Sequence, residues 1–155
     1  MHHSISKKDA LSAAMKLCSR EERCISDVRE KLEKWGLHER DMEEVITHLV
    51  SNNYIDENRY ASFFINDKFH LNKWGRLKLK QALKLKELPE ETIAKGMTVI
   101  DEAEYMSLLK SEMQKKLNTI QEGTPLDKKA KLFRFGASRG FENDYVYKII
   151  DEIIQ

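Results

Sequence analysis

Apolar residues recur along this chain at the spacing of amphipathic helices. Ala10, Ala14, Leu17 and Cys18 mark a first helix, and Val28, Leu32 and Trp35 a second. Met42, Val45, Ile46, Leu49 and Val50 mark a third that keeps the order i, i+3, i+4, i+7, i+8. Asn52 and Asn53 follow, and asparagine tolerates the left-handed turn that ends a helix. The design then returns. Phe63, Phe64, Asp67 and Leu71 belong to a helix beginning after Asp56, Leu79, Ala82 and Leu83 to the next, and Ile93, Met97 and Ile100 to another. The last part of the chain is less regular. A helix from Glu104 to about Leu117 gives way to a polar loop, Asn118 to Gly123, before a helix carrying Leu132, Phe133 and Phe135.

Caps support these assignments. Ser6 with Asp9, Asp56, Asp101 with Glu104, and Thr124 followed by Pro125 and Asp127 each place an oxygen where it can accept from free amides of a first turn. Pro89 before Glu90 and Glu91 is a further first-turn signal, since proline loses nothing there and acids suit the positive end of a helix.

The apolar positions also repeat over longer distances. Six, ten and thirteen places after Gly36 stand Met42, Ile46 and Leu49; after Glu87 stand Ile93, Met97 and Ile100; after Gly140 stand Val146, Ile150 and Ile153. Those three origins are 51 and then 53 residues apart. The spacing predicts an all-α fold, an elongated and gently curved array of three tandem three-helix repeats covering residues 1–54, 55–100 and 101–155. One compact all-α domain with similarly spaced helices is the alternative. Gly136 stands where the first unit has Leu32, and there it either weakens the helix or allows close packing.

Composition narrows the class. Two prolines and six glycines among 155 residues favour helices over strands and turns, and two cysteines, Cys18 and Cys24, exclude a disulfide framework and fit a reducing cytoplasm. Cys18 reads as a small core residue. No apolar run is long enough to cross a bilayer, and the N-terminus lacks the apolar stretch of a signal peptide, so a soluble cytoplasmic protein is expected. His2 and His3 alone make a poor metal site and receive no function.

Net charge changes the picture more. At +1 overall the chain is no polycation, yet between Leu71 and Lys86 six cations, Lys73, Arg76, Lys78, Lys80, Lys84 and Lys86, meet no acid. On a helical wheel Arg76, Lys80 and Lys84 share one sector with Lys73 beside them, while Leu79, Ala82 and Leu83 line another and Leu77, Leu85 and Leu88 a second apolar patch. Such a stripe suits nucleic-acid phosphates or an acidic protein groove, and Trp74 adds a ring that could stack on a base or anchor an interface. For any single lysine, solubility is explanation enough; six together favour binding. A second basic set holds Lys128, Lys129, Lys131, Arg134 and Arg139, with Arg139 equally suited to satisfying carbonyls at a helix end.

Catalytic patterns are missing. There is no phosphate-binding glycine loop, no Gly-x-Ser-x-Gly elbow and no His-Glu-x-x-His pair, and His38, His48 and His70 fall on separate helices. No enzyme activity, cofactor or metal is expected. Asp56 and Glu57 are accounted for as a cap and a first-turn acid.

The chain resembles the RecX family, bacterial regulators of the recombinase RecA. The likeness lies in Ser26 with Val28, Leu32 and Trp35-Gly36-Leu37, in Tyr54-Ile55-Asp56-Glu57-Asn58-Arg59-Tyr60-Ala61, in Trp74-Gly75-Arg76, and in Arg139-Gly140-Phe141, spanning about Asp9 to Ile153. Lys86-Glu87-Leu88 departs from the family's Lys-Gly-Ile turn. The resemblance implies tandem three-helix repeats and a monomer that binds in the groove of the RecA–DNA filament, meeting RecA, single- or double-stranded DNA, or both. It implies restraint of filament extension, strand exchange and coprotease activity. An exposed Trp74 would allow self-association. A helical DNA-binding protein acting without RecA and a pure interaction scaffold are the competing readings.

Overall fold

Side chains close in sequence cap four of the helix starts among the described residues. The computed structural model of the chain describes residues 5–154, and His2 and His3 lie outside the described residues. Among these it holds nine α-helices and no strand: α1 (Lys7–Arg20), α2 (Ile25–Lys34), α3 (Glu39–Ser51), α4 (Glu57–Asn72), α5 (Arg76–Leu85), α6 (Glu90–Met97), α7 (Glu102–Thr119), α8 (Pro125–Ser138) and α9 (Asn143–Ile153). Ser6 accepts from the Asp9 amide at 3.1 Å and Asp101 from Glu104 at 3.0 Å. Thr124 and Asp127 cap each other reciprocally at 3.1 Å. Asp56 accepts from the amides of Asn58 and Arg59 at 3.0 and 3.1 Å. Pro89 stands one place earlier than a first-turn proline: α6 begins at Glu90, and the Pro89 carbonyl accepts from the Ile93 amide at 3.0 Å.

The three origins of the repeat share one backbone device. Gly36, Glu87 and Gly140 adopt φ of 82°, 64° and 89° at the ends of α2, α5 and α8. The residue after each turns its amide back into the helix, Leu37 to Leu32, Leu88 to Leu83 and Phe141 to Gly136, at 3.2, 3.2 and 3.1 Å. Glu87 therefore keeps the geometry of the glycines despite its side chain. A left-handed glutamate carries a steric cost, so Glu87→Gly should raise stability by about 0.5–1 kcal/mol in chemical denaturation. An unchanged or lower midpoint would show that the side chain compensates.

By Cα packing the chain divides into two compact units, one of Met1–Phe63 with Leu83–Gly96, the other of Phe64–Ala82 with Met97–Gln155. This is not the one compact domain weighed against repeats, and the middle three helices contribute to both units. In the first unit Ala10, Ala14, Val28, Leu32, Leu37, Met42, Val45, Ile46, Leu49 and Ile55 form the core. Val50 is exposed, since α3 turns its neighbour Leu49 inward. Cys18 is half-buried at the edge of that core, whereas Cys24, at the start of α2, is fully enclosed. Burial pushes both thiols up.

In the second unit α7, α8 and α9 pack on one another around buried Leu109, Met113, Leu132, Val146, Ile149 and Ile150. Rings continue this core. Phe69 stacks on Tyr105 at 5.7 Å between centroids, and Tyr105 meets Phe141 at 5.2 Å. Gly136 serves close packing: a methyl there would stand 2.8 Å from a Val146 methyl. The face of α4 differs from the expected one. Tyr60, Ala61, Ile65 and Phe69 are buried, while Phe63 is 54% and Leu71 78% exposed. Ala61, Ile65 and Phe69 keep the four-residue spacing of a helix face, and the competing set built on Phe63 and Leu71 turns to solvent.

Candidate functional site

The segment Trp74-Gly75-Arg76 brings no serine, threonine, asparagine or aspartate to cap α5, so its first amides must find partners elsewhere. Tertiary structure supplies them. The Gly75 amide donates to the Arg139 carbonyl at 2.7 Å, the Arg76 amide to the Tyr105 hydroxyl at 2.9 Å, and the Leu77 amide to the Gly140 carbonyl at 2.9 Å. The start of α5 is thus seated on the α8–α9 turn, and the absent Cβ of Gly75 permits the approach.

A matching arrangement exists in the first unit. The Ile25 amide at the start of α2 donates to Glu57 at 3.1 Å, and the Ser26 hydroxyl donates to the Lys86 carbonyl at 2.7 Å. Glu57 is therefore more than a first-turn acid. Burial raises its carboxyl above the usual range, against the pull of the Ile25 amide. Sequence reasoning missed this role because the partner lies 32 positions away.

The basic residues that share a sector on paper do not share an environment. Arg76 turns into the protein: its side chain is 18% exposed, one nitrogen lies 3.1 Å from Glu142, the other 2.5 Å from Glu102, and the guanidinium carbon stands 3.9 Å from the Tyr105 ring centre. Tyr105 donates its hydroxyl proton to Glu142, and Tyr145 donates to Glu102 at 2.7 Å. Burial works against the Arg76 charge, but the bonds to Glu102 and Glu142 outweigh it and hold the proton more firmly than usual. Arg76 is thus a tie within this unit, and the uninterrupted outward stripe expected of Arg76, Lys80 and Lys84 is corrected.

Its neighbours are partly engaged. Lys73 adopts φ of 59° and donates to the His70 carbonyl at 2.5 Å, closing the last turn of α4. Lys78 lies 4.7 Å and Lys68 5.3 Å from the centre of the Trp74 ring, which is itself half-buried and forms a T-shaped pair with Phe64 at 6.2 Å between centroids. Trp74 is thus half-buried rather than the exposed ring expected. Lys86 holds Asp27 at 2.6 Å, and the bond to Asp27 raises its pKa.

Of the six cations between Leu71 and Lys86, Lys80 and Lys84 are the least enclosed. Both are exposed; Lys80 has no ion-pair partner among the described residues, and Lys84 reaches only the rim of Glu90 at 3.9 Å. Leu77 and Leu85 are also exposed, Leu85 by 79%, whereas Leu88 is buried, so these three leucines do not form one packed patch.

The second basic set lies on α8. Lys131 and Arg134 are exposed, Lys128 and Lys129 half-buried. Arg139 satisfies a helix-end carbonyl, as its position suggests, but that of Asn72 at the end of α4, at 3.3 Å. No helix among the described residues is long and apolar enough to cross a membrane.

Comparison with known proteins agrees with this order of helices. Family models described as the first, second and third three-helix domains of RecX match residues 10–49, 56–97 and 102–150. The regulatory protein RecX of Acinetobacter baylyi is 33% identical over 142 residues, covering 92% of this chain and 86% of that protein. That of Clostridium botulinum is 29% identical over 97% of this chain and 73% of its own length. The crystal structure of RecX from Lactobacillus salivarius superposes with a TM-score of 0.86 over 95% of this chain and 96% of that one, at 20% identity, a likeness of fold.

Proposed function

The chain belongs to the RecX family of regulatory proteins, and on that premise we propose that it binds the RecA filament on DNA in the cytoplasm and restrains filament extension, strand exchange and coprotease activity. The ordered match to three RecX domains across most of the chain carries this reading. We take the three repeats, 1–54, 55–100 and 101–155, as its working divisions. Lys80 and Lys84 supply the principal electrostatic contact, because their charges are exposed and little compensated within the protein. Lys73, Lys78, Lys86 and Trp74 support that contact from partly engaged positions.

Adding the protein to RecA on single-stranded DNA should lower RecA ATPase and strand exchange in proportion to occupancy. No effect at stoichiometric amounts would sink the reading. The double variant Lys80→Glu, Lys84→Glu should inhibit about tenfold less well at low salt and lose less at high salt. Its stability should stay within about 0.5 kcal/mol of the parent, since both side chains are exposed.

A further inference from the structure

The imidazole of His70, in the last turn of α4, sits between two oxygens. Its Nδ1 lies 2.8 Å from the Asn66 carbonyl, one turn back on the same helix, and its Nε2 lies 2.5 Å from a carboxylate oxygen of Glu104 on α7. A carbonyl and an ionised carboxylate only accept. Neutral imidazole carries one N–H, so its bare nitrogen would set a lone pair against the lone pair of one of these oxygens. Only the imidazolium, with two N–H groups, satisfies both contacts at once.

The surroundings favour that charge. The charged groups facing the ring are Glu104 from α7, which draws the proton on, and Lys73 from the turn after α4, which opposes it. Bonds to the Asn66 carbonyl and to Glu104 outweigh partial burial and Lys73, and they hold the His70 pKa above its ordinary value. The negative end of α4 suits a cation as well.

The turn toward α5 hangs from this end of α4. The Lys73 ammonium closes it on the His70 carbonyl at 2.5 Å, and the Arg139 guanidinium holds the Asn72 carbonyl at 3.3 Å. The Trp74 amide that follows donates to the Lys68 carbonyl at 3.2 Å. Movement of the His70 ring is therefore felt where the chain passes to Trp74-Gly75-Arg76. We propose that His70 is a pH-sensitive tie, clamping the last turn of α4 to the start of α7 while doubly protonated and letting go of one partner when a proton leaves. Below its midpoint the tie steadies the α4–α5 turn, and above it the turn loosens. No partner molecule enters this device, so it stands apart from the filament reading.

NMR of the histidine rings in the full chain tests it, with the His70 signals assigned through the backbone. Below the midpoint both ring nitrogens should carry protons, and the midpoint should lie above the ordinary 6.5. Glu104→Gln should move it down, because the acid partner is gone. A histidine whose folded pKa is raised contributes stability that is full below the unfolded value and is lost as pH rises through the folded one. The urea midpoint of the parent should therefore fall relative to that of His70→Gln as pH rises through the NMR midpoint. Over the same range the Trp74 amide of the parent should lose protection from hydrogen exchange, after allowance for the intrinsic rate, and that of His70→Gln should not. Should His70→Gln unfold, the titrations of the parent and of Glu104→Gln decide the matter. A midpoint at or below 6.5, one unmoved by Glu104→Gln, urea midpoints that keep a constant separation, or Trp74 protection that ignores the titration would overturn the inference.

Discussion

Gly75→Ala should cost the protein about 3 kcal/mol of stability or more, the upper end of the range for overpacking. A Cβ at this position would lie 2.5 Å from the carbonyl carbon and oxygen of Gly140 and from the amide nitrogen of Phe141. These are backbone atoms, so no side-chain rotation relieves the clash. Relief requires the start of α5 to withdraw, which lengthens the bonds from Gly75 to Arg139 and from Leu77 to Gly140. Gly136→Ala provides the contrast, because its new methyl would meet the methyl groups of Val146, which can shift. Urea denaturation monitored by tryptophan fluorescence should therefore rank Gly75→Ala well below Gly136→Ala. A loss under about 1 kcal/mol at Gly75 would show that the α8–α9 turn gives way easily.

Arg76→Ala should destabilise by about 3 kcal/mol, because it removes the cation between two carboxylates and uncovers the Tyr105 ring. The figure sits at the low end for breaking a buried pair, since Glu102 is 59% exposed. Arg76→Lys should recover only part of the loss, as an ammonium cannot fork to both acids. Tyr105→Phe deletes the donor to Glu142 and the acceptor of the Arg76 amide and should cost about 1–3 kcal/mol. In a double-mutant cycle, Arg76→Ala and Tyr105→Phe should couple by more than about 0.5 kcal/mol; simple additivity would mean the network does not act as a unit. Bonds from Tyr145 and Arg76 hold Glu102 below the usual carboxylate range. Its contribution is thus present above the ordinary glutamate value and fades as pH falls through the lowered one.

Much of this architecture was legible because its causes are local. Ser6, Asp56, Asp101 and Thr124 bind amides two or three residues ahead, so each cap could be read from a few letters. The turns at Gly36 and Gly140 carry their own signal in glycine. Glu87 does not, and its equivalence came through the spacing of Ile93, Met97 and Ile100. The basic residues were harder. Arg76, Lys80 and Lys84 are indistinguishable on a helical wheel, yet Arg76 is closed in by Glu102 and Glu142, 26 and 66 positions away. The role of His70 escaped notice for the same reason: its companion Glu104 belongs to another helix.

Letters close together were enough to read the nine helices of the described residues, the caps of α1, α4, α7 and α8 and a threefold spacing, beside the short motifs that resemble RecX, because hydrogen bonds within a turn and apolar periodicity are short-range and repeat faithfully. Only the tertiary structure decided which face of α4 is buried, why Gly75 must lack a side chain, and which cations stay available. Each of those depends on the free energy of bringing groups from distant helices together, where a charge meets either water or another charge and a methyl meets either space or backbone. Arg76 found carboxylates and became part of the fold; Lys80 and Arg134 have no ion-pair partner among the described residues and remain open to a partner.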